Sequence, residues 1–548
     1  MNNMDINNRE KENIIKRVWH SYCSMSLPLK LLELIMLAAI VWFAFYVNRD
    51  IVIKGLYMDD LYMWSCYGEQ NLWEFAFPIG TSTRFRPVYW LATYLQMAII
   101  GNHIDRFVAF NIIVNIFVAV ELFYMARYLA SGCRLSGMIT AICYLSSRFA
   151  YYQIGQALGL METMALAMSI AVMFLLIKAL RDNACGSSYY AALVIYFLLV
   201  FVHERYISLL PLFYLALFGI IIRNRINKEK LSRTAAKSAA EWISPLAVLV
   251  LIVAIRTYAI GKALPAGTGG TEVTDTFSIA QSIGFCFDQV LYILGVNAGP
   301  EYLCGLPWEE TPWQIKRMTK FGILFIGLLS IIFAGLIIYE IIKSVKDKDK
   351  KASGLLYDNI TVSIMFCAFI ALCIGCSSVT IRLEMRWIYV SYAAALLYAS
   401  YMIGRIKDSL GSAQGKIVLY AAAALFTAYA FTAATTNIFY RGYFDRIYFW
   451  ADQERMNSLA EETVEKYGTD GVFGKNIYIL ENSYQMSDFY ARTFFKTFDK
   501  DKKAEGTKVI FVQSITDVPA DEVREGNALV LEELPAENAY KDITEDIR

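Results

Sequence analysis

The chain has 548 residues, 57% of them hydrophobic and 18% charged, with a mean hydropathy of +0.41 and a formal net charge of +1. Repeated apolar runs near the length that crosses hydrocarbon exclude a water-soluble globule and predict an α-helical polytopic membrane protein. The basic residues fall in short blocks between those runs, where they report orientation, and no basic face interleaved with aromatics is present, so nucleic acid is excluded as a partner.

Residues 1–30 carry Arg9, Lys11, Lys16, Arg17 and Lys30. They are too long for the n-region of a cleaved signal, so they are expected to form a cytoplasmic segment before a retained first helix, Leu31 to Val47. That span delivers a first outer loop, 48–106, whose stretch Tyr57-Met58-Asp59-Asp60-Leu61-Tyr62-Met63-Trp64 carries two adjacent carboxylates. Such a pair also suits the cap and first turn of a surface helix.

The next apolar runs are Pro87 to Gly101, Phe107 to Leu129, Leu135 to Phe149, Leu158 to Leu180, Tyr189 to Val202, Tyr206 to Ile222 and Trp242 to Ile260. A basic loop from Arg223 to Lys237 must lie inside, so an odd number of crossings separates it from an outside Asp59. Six candidate runs lie between, and one therefore does not cross. Pro87 to Gly101 is the best choice: it is short, opens on Arg86-Pro87 and carries Tyr89, Trp90, Tyr94 and Gln96, as an interfacial helix would.

The later spans are Phe321 to Ile342, Ile360 to Thr380, Trp387 to Gly404 and Ile417 to Thr432, for about eleven crossings in all. A second outer loop, 261–320, holds a short apolar stretch from Ile283 to Val296 that is expected to lie on the surface. The membrane domain thus spans residues 31–436. From Asn437 the composition turns water-soluble, predicting a small extracytoplasmic α/β domain, 437–548, with strands at Asn476 to Leu480, Lys508 to Gln513 and Ala528 to Leu531. Helices are expected at Tyr443 to Tyr467 and Met486 to Phe498.

Ten cysteines are scattered, and three histidines are too few for a zinc site of ordinary spacing. Cys373 and Cys376 form a CxxC inside a span, where packing is the expected role. Glu121 is the acid expected to be most deeply buried, mid-span.

Arg84, Arg86, Arg148, Arg205, Arg256, Arg382 and Arg386 all fall on the outer side, against the orientation bias. An anion at that surface accounts for them as a set, and a lipid phosphate is the obvious one. His203-Glu204-Arg205, between two apolar runs and followed by Leu210-Pro211, places further charge where hydrocarbon makes it costly. It reads either as functional or as a solvated turn with an internal ion pair. Trp64, Tyr67, Trp73, Trp90, Trp308 and Trp313 suit sugar stacking or an interfacial belt.

The first span, the acidic pair beyond it, and Arg84-Phe85-Arg86-Pro87 leading into an aromatic-rich helix together resemble the GT-C glycosyltransferases, a class that includes protein O-mannosyltransferases, lipid A aminoarabinose transferases and oligosaccharyltransferases. The turn from His203 to Pro211 resembles a second landmark of that class. A third departs from it: Ser147-Arg148-Phe149-Ala150-Tyr151-Tyr152-Gln153-Ile154-Gly155-Gln156 has the Tyr-Tyr-x-x-Gly pattern but no aspartate, and Glu162 is the nearest acid.

The resemblance implies sugar transfer from a polyprenyl-phosphate donor to a surface glycan, lipid or protein acceptor, at the outer face of what is expected to be a bacterial plasma membrane. It implies Asp59 or Asp60 as general base, with Arg84, Arg86, Arg148, His203, Arg205, Arg382 and Arg386 toward the donor phosphate and Glu162 and Glu204 in support. It requires no certain cofactor, while leaving room for a divalent metal. Two other readings stay open: a transporter or flippase of lipid-linked sugars, which favours broken, polar mid-membrane helices, and a glycan polymerase or ligase with a large late outer loop.

Overall fold

A computed structural model of the chain describes residues 26–53, 56, 59–80, 84–101, 103–226, 239–261, 278–294, 296, 308–346, 350–380, 385–409, 413–443, 459, 463–482, 495, 506–537 and 539–547. The chain is a predominantly helical multi-pass protein with a small α/β domain at its C-terminal end. Its helices are α1 (Leu27–Val47), α2 (Asp59–Glu69), α3 (Leu72–Ala76), α4 (Pro87–Ile100), α5 (Arg106–Leu129), α6 (Arg134–Ser146), α7 (Arg148–Ile154), α8 (Leu160–Asp182) and α9 (Ser187–Val200). They continue as α10 (Pro211–Ile226), α11 (Ala239–Ile260), α12 (Ile279–Ile293), α13 (Trp313–Lys346), α14 (Lys350–Ser378), α15 (Tyr389–Ser409) and α16 (Ala413–Tyr443). Short 3₁₀ turns at Ala157–Gly159, Glu204–Leu209 and Met385–Trp387 link α7 to α8, α9 to α10 and α14 to α15.

Among the described residues, eight helices are long and apolar enough to cross a membrane. The expected spans Leu135 to Phe149, Tyr189 to Val202 and Trp387 to Gly404 are not among them. The first two become α6 and α9, of 13 and 14 residues, about 20 Å at 1.5 Å per residue and short of a hydrocarbon core of about 30 Å. α15 misses on composition, because it is the axis of the bundle and meets protein on every side.

It packs against α5, α6, α8, α13, α14 and α16, and 16 of its 21 residues are buried. A helix without a lipid face can hold polar side chains provided they are bonded. Tyr389 donates to Asn115 Oδ1 at 2.8 Å, Ser400 pairs with Thr140 at 2.9 Å, and Arg405 Nε donates to Asn359 Oδ1 at 2.7 Å. Asn359 in turn donates to Glu340 Oε2 at 2.6 Å, so α13, α14 and α15 share one buried network.

Around this axis sit α5 with α6 and α8 with α9, each pair joined by a short connection, and α13 packed on α16, which is distant from it in the chain. At Gly404 a Cβ would stand 2.2 Å from the Leu129 carbonyl oxygen, so glycine permits the close approach of α15 to the end of α5. α1 is held by Glu33, which accepts from Arg127 Nη1 at 2.7 Å and from the Tyr124 hydroxyl at 3.0 Å. α4, 14 residues long, buries Thr93 and Gln96 and leaves Leu91, Leu95 and Ile99 as an exposed apolar stripe. Glu121 is half-buried rather than deeply buried.

The C-terminal domain holds one four-stranded sheet in the order β2-β1-β3-β4, with β1 (Asn476–Leu480), β2 (Lys508–Val512), β3 (Ala528–Leu534) and β4 (Ala539–Asp542). β1 pairs in parallel with both β2 and β3, while β4 runs antiparallel to β3. The three expected strands are present, β3 extends further than expected, and β4 was not foreseen. α16 continues past Asn437 to Tyr443. Most of the expected helix from Tyr443 to Tyr467, and all but Phe495 of that from Met486 to Phe498, lies outside the described residues.

Candidate functional site

Arg86 occupies the cap position of α4, just before Pro87, whose fixed φ starts the helix at its first position. Its side chain turns inward and makes a bidentate pair with Glu204, Nε to Oε2 at 2.7 Å and Nη2 to Oε1 at 2.8 Å. Nη1 lies 3.2 Å from the Met161 sulfur. Both side chains are buried.

Glu204 opens a 3₁₀ turn, in which successive side chains diverge by about 120°. Arg205 therefore points elsewhere, and its Nη2 donates to Glu162 Oε2 at 2.6 Å and lies 2.8 Å from the Tyr206 hydroxyl. The solvated turn with an internal ion pair is thus overturned: Glu204 is buried, the Arg205 side chain is only 10% exposed, and each pairs with a distant residue rather than with its neighbour.

His203 is buried beside them and accepts at Nδ1 from the Arg205 backbone N–H, at 3.4 Å. Burial, together with Arg86 and Arg205, holds its imidazole well below the usual histidine range. Its Nε2 lies 3.8 Å from Glu162 Oε1, beyond hydrogen-bonding distance.

Glu162 is presented by the first turn of α8. The loop before it is tied down by Asn111, whose amide donates to the carbonyls of Ile154 and Gln156 at 3.2 and 2.7 Å. It also needs Gly159, where a Cβ would fall 1.8 Å from the Gln153 carbonyl oxygen.

A third guanidinium completes the arrangement. Arg256, one turn from the end of α11, is 1% exposed, and its Nε and Nη1 have no hydrogen-bond partner among the described residues. It lies within electrostatic reach of Glu204 and Arg86. Those two cancel each other, as do Arg205 and Glu162, so Arg256 brings a positive charge that the two pairs do not neutralise. It was counted among the outer arginines but left out of the phosphate set. Its signal in the sequence is an arginine inside an apolar span, a costly placement.

Asp59 and Asp60 begin α2, so they do start a helix. Asp60 is 8% exposed, and the Asp59 side chain lies outside the described residues. α2 packs on α4, which follows Arg86, and on the 3₁₀ turn that leads into Glu162. Tyr67 meets Tyr94 at 4.8 Å and Trp64 meets Phe107 at 6.5 Å, so Trp64 is a core residue rather than part of a belt. The Gly80 backbone N–H donates to the Ala259 carbonyl at 2.8 Å, fastening the same outer loop to the end of α11 that carries Arg256.

Of the other predicted residues, Arg84 is half-buried, Arg386 lies within electrostatic reach of His203, and Arg382 lies outside the described residues. Arg148 is elsewhere: it lines a separate cavity with Tyr292, Tyr392 and Asn437. Among the described residues no group of three or more His, Cys, Asp and Glu could hold a metal ion.

No family model and no curated protein sequence matches the chain. Among solved structures it is similar to ArnT from Cupriavidus metallidurans, crystallised bound to undecaprenyl phosphate, with 10% identity over 92% of this chain and 93% of that one and a TM-score of 0.45. It is also similar to the Archaeoglobus fulgidus oligosaccharyltransferase in complex with Zn and sulfate, with 12% identity over 91% of this chain and 68% of that one and a TM-score of 0.40.

Proposed function

We propose that the chain is an integral-membrane glycosyltransferase of GT-C type that moves a sugar from a polyprenyl-phosphate donor to an acceptor hydroxyl at the outer face of a bacterial plasma membrane. The observation that carries this reading is Arg256, a buried guanidinium with two unpartnered nitrogens beside two closed ion pairs. A desolvated cation of this kind calls for an anion rich in acceptor oxygens, and a phosphate accepts from a guanidinium in a fork. Arg86–Glu204 and Arg205–Glu162 act as the rigid frame that holds the site.

In the reaction, the acceptor hydroxyl gives its proton to Asp59 or Asp60 as its oxygen bonds to the anomeric carbon. The bond from that carbon to the phosphate oxygen breaks, and the lipid phosphate leaves with the electron pair. Arg256 stabilises the charge that builds there. Glu162 and Glu204 are engaged by arginines, and the base is drawn from the Asp59-Asp60 pair that begins α2.

The test is sugar transfer by membrane vesicles supplied with polyprenyl-phosphate sugars and total surface acceptor. Losing charge-assisted hydrogen bonds to a phosphate costs about 1.5–3 kcal/mol, so Arg256→Gln is expected to raise the donor KM roughly 10- to 100-fold. Replacing the base, by Asp59→Asn or Asp60→Asn, should lower kcat by about 10²–10⁴. Transfer at the wild-type rate by all three variants at matched expression would refute the reading.

A further inference from the structure

Asn111 and Asn115 stand one turn apart on α5, both buried, and their amides act on the two segments that flank Glu162. On the side before it, Asn111 Nδ2 donates to the carbonyls of Ile154 and Gln156, in the stretch that leads into α8. On the side after it, Asn115 acts through a tyrosine. Its Oδ1 accepts from the Tyr389 hydroxyl at 2.8 Å and from the Tyr144 hydroxyl at 2.6 Å, and the two hydroxyls also pair with each other.

Tyr389 opens α15, and its hydroxyl reaches Thr163 and lies within electrostatic reach of Glu162. Thr163 in turn donates to the Gly159 carbonyl at 3.0 Å, closing the turn that presents Glu162. The two asparagines are themselves joined, Asn115 Nδ2 donating to the Asn111 carbonyl at 2.9 Å. Gln96 Nε2 donates to Asn111 Oδ1 at 3.3 Å, which ties α4, the helix that follows Arg86, to the same hub.

Amides buried in a helical bundle must be bonded, but many sets of partners would satisfy that need. The Ser400–Thr140 pair, further along α15, joins two helices and touches neither flank of Glu162. The asparagines instead serve the loop before one carboxylate and the turn after it. Holding Glu162 in place matters because Arg205 Nη2 donates to it at 2.6 Å, while Arg205 Nη1 has no hydrogen-bond partner among the described residues. Where Glu162 stands therefore sets where that open nitrogen points.

We infer that Asn111 and Asn115 are positioning residues of the proposed donor site: by bracketing Glu162 they aim the Arg205 guanidinium at the donor phosphate. The role toward the donor rests on the glycosyltransferase reading, whereas the bracket around Glu162 is independent of it. Losing the bracket should leave the residues of the site in place and their alignment poor.

The experiment has two arms, both on the full-length chain: amide exchange over residues 155–162, read by mass spectrometry in detergent, and sugar transfer by membrane vesicles. Asn111→Leu, Asn115→Leu and Tyr389→Phe should each exchange roughly tenfold faster there than the wild type, the size of one buried hydrogen bond. Ser400→Ala, which loses a buried hydrogen bond elsewhere in the bundle, should not. In transfer, the three variants should raise the donor KM about tenfold and leave the acceptor KM unchanged, whereas a smaller folded fraction would lower only the apparent kcat. Tyr389→Phe leaves Asn115 its bond from Tyr144, and it decides the matter if the asparagine variants do not fold. Wild-type exchange in every folded variant overturns the inference. So does faster exchange with a wild-type donor KM, which would make the network a structural support alone. Absence of transfer by the wild type itself refutes the glycosyltransferase reading instead, and exchange then decides whether the asparagines hold Glu162.

Discussion

Glu204 and Arg205 are adjacent in the chain, yet each finds its partner on a different helix. Removing one member of a buried pair leaves the other charge uncompensated, at a cost of about 3–5 kcal/mol. Glu204→Gln is therefore expected to lower the thermal unfolding temperature of the detergent-solubilised protein sharply. The double variant Arg86→Met with Glu204→Met, which removes both charges, should recover most of that loss. An equal loss in the single and double variants would show that the pair acts through shape rather than charge. Gly159 is a second residue whose role lies in what surrounds it. With a Cβ placed 1.8 Å from the Gln153 carbonyl, Gly159→Ala must shift the loop before Glu162. Much reduced recovery of monodisperse protein is expected, and a normal yield with normal stability would contradict the packing described here. Little of this was legible in advance: the charges were visible in the sequence, but their pairing spans 118 and 43 positions, and no local rule reaches that far.

At the scale of elements, the apolar periodicity that marks a helix is a statement about what surrounds it. Helices apolar enough to cross a membrane, such as α1 and α11, were found with bounds close to those expected, whereas α13 extends eight residues before the expected Phe321. α15 is surrounded by protein, so its tyrosines, serines and Arg405 could enter the bundle interior once partners existed on α5, α6 and α14. The orientation argument yields a prediction of its own. Basic loops at Arg223 to Lys237, Lys343 to Lys351 and Arg405 to Lys416 are expected inside, which puts the loop between α2 and α4 outside. Trp73, 71% exposed in that loop, is a better reporter than the buried His203. On a background without accessible cysteines, Trp73→Cys should react with an impermeant thiol reagent from outside, and Ser232→Cys, beyond the described residues, only from inside. The reverse pattern would invert the whole frame.

For the molecule as a whole, the C-terminal sheet offers a handle outside the candidate membrane spans. Asp542, at the end of β4, is partly buried, which alone would raise its pKa. The Thr544 hydroxyl and backbone N–H, at 2.6 and 2.9 Å, and Lys466 at 3.0 Å outweigh burial and hold it below the usual aspartate value of 3.8. A carboxylate depressed on folding contributes stability that is present above the unfolded pKa and is lost as the pH falls through the folded one. Amide exchange protection of β3 and β4 should therefore weaken as the pH falls below about 4, and Asp542→Asn should lose protection at neutral pH and show a flatter acid dependence. A variant with the wild-type pH profile would remove Asp542 from that account. The strands themselves were legible, since short apolar runs between polar segments have few other uses, whereas β4 is polar and became a strand only because β3 offered it an edge. By itself the sequence determined the solvent of each part, because hydrocarbon and water select residues one by one: a helical bundle in lipid, a small α/β domain in water, and an acidic pair with outer arginines between them. Only the tertiary structure decided which of those arginines pair with glutamates, that Arg148 lies away from them, and that Nε and Nη1 of Arg256 lack a hydrogen-bond partner among the described residues, because charge pairing in a low-dielectric interior depends on neighbours far away in the chain.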